Sequence, residues 1–198
     1  MAASVRRREA LRLSALAASS ALIFDVAAVS PELVADAGAW RIANDTVMGG
    51  ISSSRVERRG EALRFSGEVR LEHNGGFASM RRPFAAAAVG GDAAGFAVQA
   101  RGDGNRYRLR VYTRDPVHGG EQRFAYSAVF ETRAGEVTST ELRWPQFAAS
   151  FRGRAVADAP PIVFADVIGI GVMITRADHR QGRGPFALEL LRIEPLPP

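Results

Sequence analysis

Between Arg106 and Val111 the sequence alternates without a break: Arg106, Arg108 and Arg110 share one parity, and Tyr107, Leu109 and Val111 the other. Successive side chains of a strand point to opposite faces, so this run suits a half-buried strand. An amphipathic helix would repeat its apolar residues every three to four positions instead. The same period of two governs Leu63 and Phe65, Val69 and Leu71, then Phe96, Val98 and Ala100, and again Phe124, Tyr126, Ala128 and Phe130. Turn clusters punctuate these runs at Arg58–Glu61, His73–Gly76, Gly102–Asn105 and Asp115–Gly120. Phe77–Met80, ending before Pro83, and Val137–Arg143 supply further strands, and Ala85–Gly91 reads as a small-residue loop. Val167–Thr175 is almost continuously apolar with Gly169 and Gly171 inside it, as in a central strand with a bulge or a close backbone approach. Phe186, Leu188, Leu190 and Ile193 alternate with a late shift in phase. About ten short strands with almost no helical period predict an all-β protein, an antiparallel sandwich or barrel.

At 198 residues the chain fits one domain, residues 21–194, with a frayed tail at 195–198. It contains no cysteine, which excludes disulfides, thiolate metal sites and a cysteine nucleophile. The net charge is +5, and all 26 basic residues are arginine. Arg6, Arg7, Arg8 and Arg12 against Glu9 place +3 of that charge in residues 1–20 and leave only +2 on the remaining 178. A nucleic-acid partner needs a clustered basic face, which that balance does not supply. Arg81-Arg82 and Arg152-Gly153-Arg154 are local basic spots that suit solvated strand faces or contacts to an acidic partner.

Residues 1–20 read as a basic tail or short helix, with Ala21-Leu22-Ile23-Phe24 as the first strand. A twin-arginine-like export signal is the competing reading, with Ala35-Asp36-Ala37 as its cleavage site; the apolar run is short and Asp25 interrupts it. It also falls short of the about 20 apolar residues a membrane span requires.

His73, His118 and His179 all fall in turns, far apart and without metal-ligand spacing, and read as turn or surface residues. Ser52, Ser53 and Ser54 lack the elbow of a hydrolase nucleophile, and Asp103-Gly104-Asn105 lacks the calcium-loop pattern and reads as an ordinary turn. No coherent acid, base or nucleophile set emerges, so the reading is a non-enzyme without cofactor or metal.

One stretch is specified more tightly than the rest. Trp40-x-x-x-Asn44-Asp45-x-Val47-Met48-Gly49-Gly50-x-Ser52 runs from a strand lead-in through an Asx-type turn to a glycine pair. Trp40, Val47 and Met48 are expected to anchor it to the core, and Asn44 and Asp45 to satisfy its backbone groups. With Leu63-x-Phe65-Ser66-Gly67 and Asn74-Gly75-Gly76-Phe77-Ala78-Ser79, with Asp103-Gly104-x-x-Tyr107-x-Leu109-Arg110, with Phe147 and Phe151–Arg154, and with Ile168-Gly169 and Gly184–Glu189, it resembles the complex I intermediate-associated protein 30 family across five blocks in order. Leu142-Arg143-Trp144-Pro145 departs from the family's usual aliphatic-Pro-Phe.

The resemblance implies a galactose-binding-domain-like jelly-roll β-sandwich. It also implies a non-catalytic, chaperone-like role: binding partly built subunits of respiratory NADH:quinone oxidoreductase. Because family domains open with a strand like Leu22–Asp25, it favours an uncleaved tail on a cytoplasmic protein that makes peripheral membrane contact. The alternative function is a carbohydrate- or small-ligand-binding jelly roll, with Asn44, Asp45, His73 and Asn74 as contacts if those loops meet.

Overall fold

The computed structural model describes residues 33–34, 36–89 and 91–198. Their strands are β1 (Arg41–Ile42), β2 (Ser53–Arg59), β3 (Ala62–Val69), β4 (Phe77–Pro83), β5 (Gly95–Arg101), β6 (Arg106–Thr113), β7 (Ala125–Glu131), β8 (Val137–Arg143), β9 (Ala148–Phe151), β10 (Arg154–Ala155), β11 (Val167–Thr175) and β12 (Gly184–Leu196). They form two antiparallel sheets, one of order β1-β4-β11-β6-β7-β9-β10 and one of order β2-β3-β12-β5-β8. The result is a jelly-roll β-sandwich.

Alternation in the sequence becomes two-sidedness in the sheets. Tyr107, Leu109 and Val111 of β6 are fully buried, while Arg106, Arg108 and Arg110 face outward. Met80, Ile170, Val172 and Ile174 join them from the seven-stranded sheet, and Leu63, Phe65, Phe96, Leu188 and Leu190 meet them from the five-stranded one. Each such side chain contributes about 1.5–3 kcal/mol on leaving water. The rings of Phe65 and Phe186 lie 4.9 Å apart, and Tyr107 contacts both Phe130 and Phe186. Gly171 is where side-chain volume would obstruct: a Cβ there would come 2.8 Å from the Met80 carbonyl and 3.2 Å from the Tyr112 ring. The phase shift in the last strand is a register irregularity between Leu190 and Arg192 against β5.

Several expectations are corrected. β4 does not stop before Pro83 but includes it, because Pro83 lies across from Gly169 at the end of the ladder, where a missing N–H is tolerated. The Ala85–Gly91 stretch contains a one-turn helix, Ala86–Val89, since alanine favours helix wherever the chain permits a turn. The C-terminal segment does not fray at 195: Pro195 and Leu196 pair with Phe96 and Gly95, and Leu196 is buried. The tail at 1–20 and the strand expected at Ala21–Phe24 lie outside the described residues.

One end of the sandwich gathers the ends of five strands. Ser53 of β2 pairs with Glu68 of β3, Val69 with Gly184 of β12, and Phe77 of β4 with Thr175 of β11. The connections that leave this end include the Asp45–Met48 turn, the Glu72–Asn74 turn and the β11–β12 loop.

Candidate functional site

The Asn44–Ser52 segment leaves β1, makes one 3-10 turn over Asp45–Met48 and returns as β2. Gly49 closes the turn in the left-handed region at φ 90°, and its N–H is donated to the Asp45 and Thr46 carbonyls. Asp45 is fully buried and occupies the centre. Its Oδ1 accepts from the Ser52 N–H at 2.9 Å; its Oδ2 accepts from the Gly76 N–H at 2.7 Å, the Phe77 N–H at 3.2 Å and the Ser52 hydroxyl at 2.5 Å. Ser52 Oγ in turn accepts from the Arg70 N–H at 2.9 Å. One carboxylate therefore ties together the Asp45 turn, the entry to β2, the exit of β3 and the entry to β4.

Asn44 reinforces the same junction. Its Oδ1 accepts from the Ser54 hydroxyl at 2.8 Å and the Ser79 N–H at 3.2 Å, and the Ser79 hydroxyl donates to the Ala43 carbonyl. Trp40 is buried just upstream and donates its indole N–H to the Leu33 carbonyl at 3.1 Å.

Burial alone would push the Asp45 carboxyl up. The hydrogen bonds from Ser52, Gly76 and Phe77 outweigh it and hold the pKa below the ordinary carboxylate value. The group is thus an anion at neutral pH, with its lone pairs engaged. Gly50 and Gly75 complete the cradle for reasons of space. A Cβ at Gly50 would lie 2.5 Å from the Asp45 carboxyl carbon, and one at Gly75 would lie 2.7 Å from Asp45 Oδ2.

The motif residues thus divide. Trp40, Asn44, Asp45, Gly49, Gly50, Ser52, Gly75, Gly76 and the Phe77 backbone converge on this junction. Asn74 lies beside it in an exposed left-handed conformation at φ 62°. Val47 and Met48 do not anchor anything: they are 76% and 54% exposed, because the 3-10 turn directs them away from the sheets. The Asn44-Asp45 loop and the His73–Asn74 turn do meet at this end, with Asn44 and Asp45 buried and engaged inside the fold and His73 and Asn74 exposed beside them.

The expected partner arginines also divide. Arg81 is bidentate to Glu121 and lies 3.7 Å over the Tyr112 ring, while Arg82 donates to the Leu33 carbonyl at 2.9 Å. Arg152 and Arg154 are exposed on the β9–β10 hairpin, Arg152 beside the Phe151 ring. His179 is not a surface histidine but is buried, its Nε2 3.1 Å from the Pro185 carbonyl.

Two further carboxylate junctions, one half-buried and one buried, carry no strong signal in the sequence. Asp103 receives the Asn105 N–H and amide, the Tyr107 hydroxyl at 3.0 Å and the Ala187 N–H at 2.8 Å. Burial and this carboxylate push the Tyr107 phenol far up. Asp178 pairs with Arg108 at 2.7 and 2.9 Å and accepts from Thr175. A short Asp-Gly-x-Asn turn before a strand hints at the first; nothing local distinguishes Asp178 from a turn aspartate. Among the described residues no group of three or more His, Asp or Glu is arranged to hold a metal ion.

A sequence model of the family described as Complex I intermediate-associated protein 30 matches residues 29–190. In three dimensions the chain is similar to the family 11 carbohydrate-binding module of the cellulosomal cellulase Lic26A-Cel5E of Clostridium thermocellum. That likeness has a TM-score of 0.54 at 12% identity and covers 83% of this chain and 95% of that one. A family 11 module from the same organism, in complex with a β-1,3-1,4-mixed-linked tetrasaccharide, gives a TM-score of 0.52 at 11% identity over 81% of this chain and 91% of that one. At these identities the likeness is one of fold. No curated protein matches the sequence.

Proposed function

The chain belongs to the complex I intermediate-associated protein 30 family, and on that premise we propose that it is a non-catalytic, chaperone-like binding protein that assists assembly of respiratory NADH:quinone oxidoreductase. The family match over residues 29–190 is the observation that carries this reading. The chemistry of the motif agrees with it. Asp45, the residue best placed by type to act on a substrate, is buried and occupied by backbone and hydroxyl donors, as a structural group is. Its partners are partly built subunits, and the exposed Arg152 and Arg154 are available to an acidic one.

Affinity purification of the full tagged chain from its own cells tests the proposal, read together with complex I content on native gels after deletion of the gene. Complex I subunits should co-purify, and deletion should lower the assembled complex. Normal complex I content together with no co-purifying subunit would overturn it. The carbohydrate-binding alternative draws on the fold, since Asn44 and Asp45, two of the four loop residues from which the sequence would build it, are engaged internally. A glycan array on the same preparation would revive it only by a specific hit.

A further inference from the structure

The junction around Asp45 is hydrogen-bonded inside and carries exposed aliphatic side chains outside. Among the described residues, ten large hydrophobic side chains are notably exposed, and four of them sit on this one end: Val47 at 76%, Met48 at 54%, Ile51 at 43% and Leu71 at 37%. They are neighbours through the backbone. Val47 and Met48 occupy the turn that Asp45 opens, Ile51 precedes Ser52, and Leu71 follows Arg70, whose N–H is donated to Ser52 Oγ. Isolated exposed aliphatics need no explanation, but four gathered on turns fixed by a buried carboxylate mark a contact surface.

The adjoining loop supplies charge. The Arg176 N–H is donated to the Gly76 carbonyl at 2.7 Å, beside the Asp45 junction, and Arg183 shares a cavity wall with Arg70 and Glu72. Arg176, Arg180 and Arg183 are exposed and form no ion pair. The nearby carboxylates are otherwise engaged: Glu68 and Glu72 with Arg70, Asp178 with Arg108, Asp45 and Asp103 with their hydrogen-bond donors. Glu131 lies across the ladder from Arg106.

We propose that this end of the sandwich docks on an anionic membrane surface, Val47, Met48, Ile51 and Leu71 entering the interfacial layer while Arg176, Arg180 and Arg183 lie against the headgroups. The four aliphatic side chains line neither of the cavities at this end, whose walls are mainly polar and charged. Aliphatic side chains exposed on turns outside any cavity suit a partner that deforms around them, which a bilayer does and a folded protein surface does only with a matching groove. Free cations beside these side chains complement anionic headgroups. No helix among the described residues is long and apolar enough to cross a membrane. The inference is independent of the complex I reading and stands or falls separately.

Vesicle flotation with the full chain tests it, using phosphatidylcholine vesicles with and without phosphatidylglycerol. The chain should float with the anionic vesicles and far less with the neutral ones, and added salt should weaken the binding. Val47→Ser/Met48→Ser, both at exposed positions, should weaken it at least tenfold with an unchanged melting curve. Each of Arg176→Gln, Arg180→Gln and Arg183→Gln should cost about fivefold. The basic residues 6–12 need their own control, Arg6, Arg7, Arg8 and Arg12 all changed to Gln. In a Met48→Trp variant the indole emission should shift to the blue on vesicle addition. Binding abolished by the control and untouched by the loop variants would overturn the proposal, as would absence of vesicle binding by the unaltered chain. So would loss of a co-purifying protein, rather than of vesicles, when Val47 and Met48 are changed.

Discussion

Replacing Asp45 by asparagine is a sharp test of the junction, because it preserves shape and removes only charge and one acceptor. The carboxylate receives four donors, one on Oδ1 and three on Oδ2. An amide serves best with its oxygen at the Oδ2 position. Its NH2 then opposes the Ser52 N–H, which is buried and has no other acceptor in the turn. Hydrogen bonds to a charged group contribute about 1.5–3 kcal/mol each, and an unsatisfied buried donor costs about 1–3 kcal/mol. Losing one bond and weakening three gives a destabilisation of about 3 kcal/mol. With a urea m-value of about 2 kcal/mol/M, the midpoint should fall by about 1.5 M at neutral pH with m unchanged. The pH dependence adds a second, independent readout. The pKa of Asp45 is lowered on folding, so its stabilisation is fully present above the unfolded-state value and is lost as pH falls through the folded-state value. The gap between the two proteins should therefore narrow in acid, from the side of the unaltered chain. A midpoint shift below about 0.3 M at neutral pH, or a gap that stays constant down to the acid limit of folding, would refute the assignment of Asp45 as an ionised structural hub.

The two adjacent glycines should respond differently. Gly50→Val drives a Cβ to within 2.5 Å of the Asp45 carboxyl and should cost about 3 kcal/mol or more in urea unfolding, with loss of binding only as a consequence. Gly49→Ala meets nothing within 4 Å but sits at φ 90°, so it should cost only the strain of about 1–2 kcal/mol. Asp178→Ala strands the partly exposed Arg108 guanidinium and the Thr175 donors, and should destabilise by about 3 kcal/mol; an effect below 1 kcal/mol would make that ion pair incidental.

Strand positions were legible because burial on one face imposes a parity that a sequence cannot hide, as the Arg106–Val111 run shows. Glycine requirements were legible too, although Gly50 and Gly75 are explained differently from Gly49. Neither has a positive φ; each is small because a carboxylate lies against it. What the sequence could not reveal was distance. An Asx turn at Asn44-Asp45 is a local expectation, whereas the partners that matter, Gly76 and Phe77, lie 31 and 32 residues away. Apolar identity misled at Val47 and Met48, where the direction of one 3-10 turn rather than hydrophobicity decides the side that faces water. Asp178 was invisible for a related reason: its value comes from Arg108, 70 residues earlier in the chain.

The sheet orders carry a consequence for how the protein is made. β11 separates β4 from β6 in one sheet, and β12 separates β3 from β5 in the other, so the final pair of described strands lies in the interior of both layers. Until the ribosome has released them, each layer exists only as two fragments with open inner edges, and those edges are the ones most able to pair with another chain. Insertion of β11 into one sheet and β12 into the other would then be the event that closes both layers, a long-range and hence slow step. Changes within Val167–Leu196 should therefore affect soluble yield during synthesis more than equally buried changes in the outer strands. A sandwich built this way depends for its closure on being kept from wrong partners until β11 and β12 arrive.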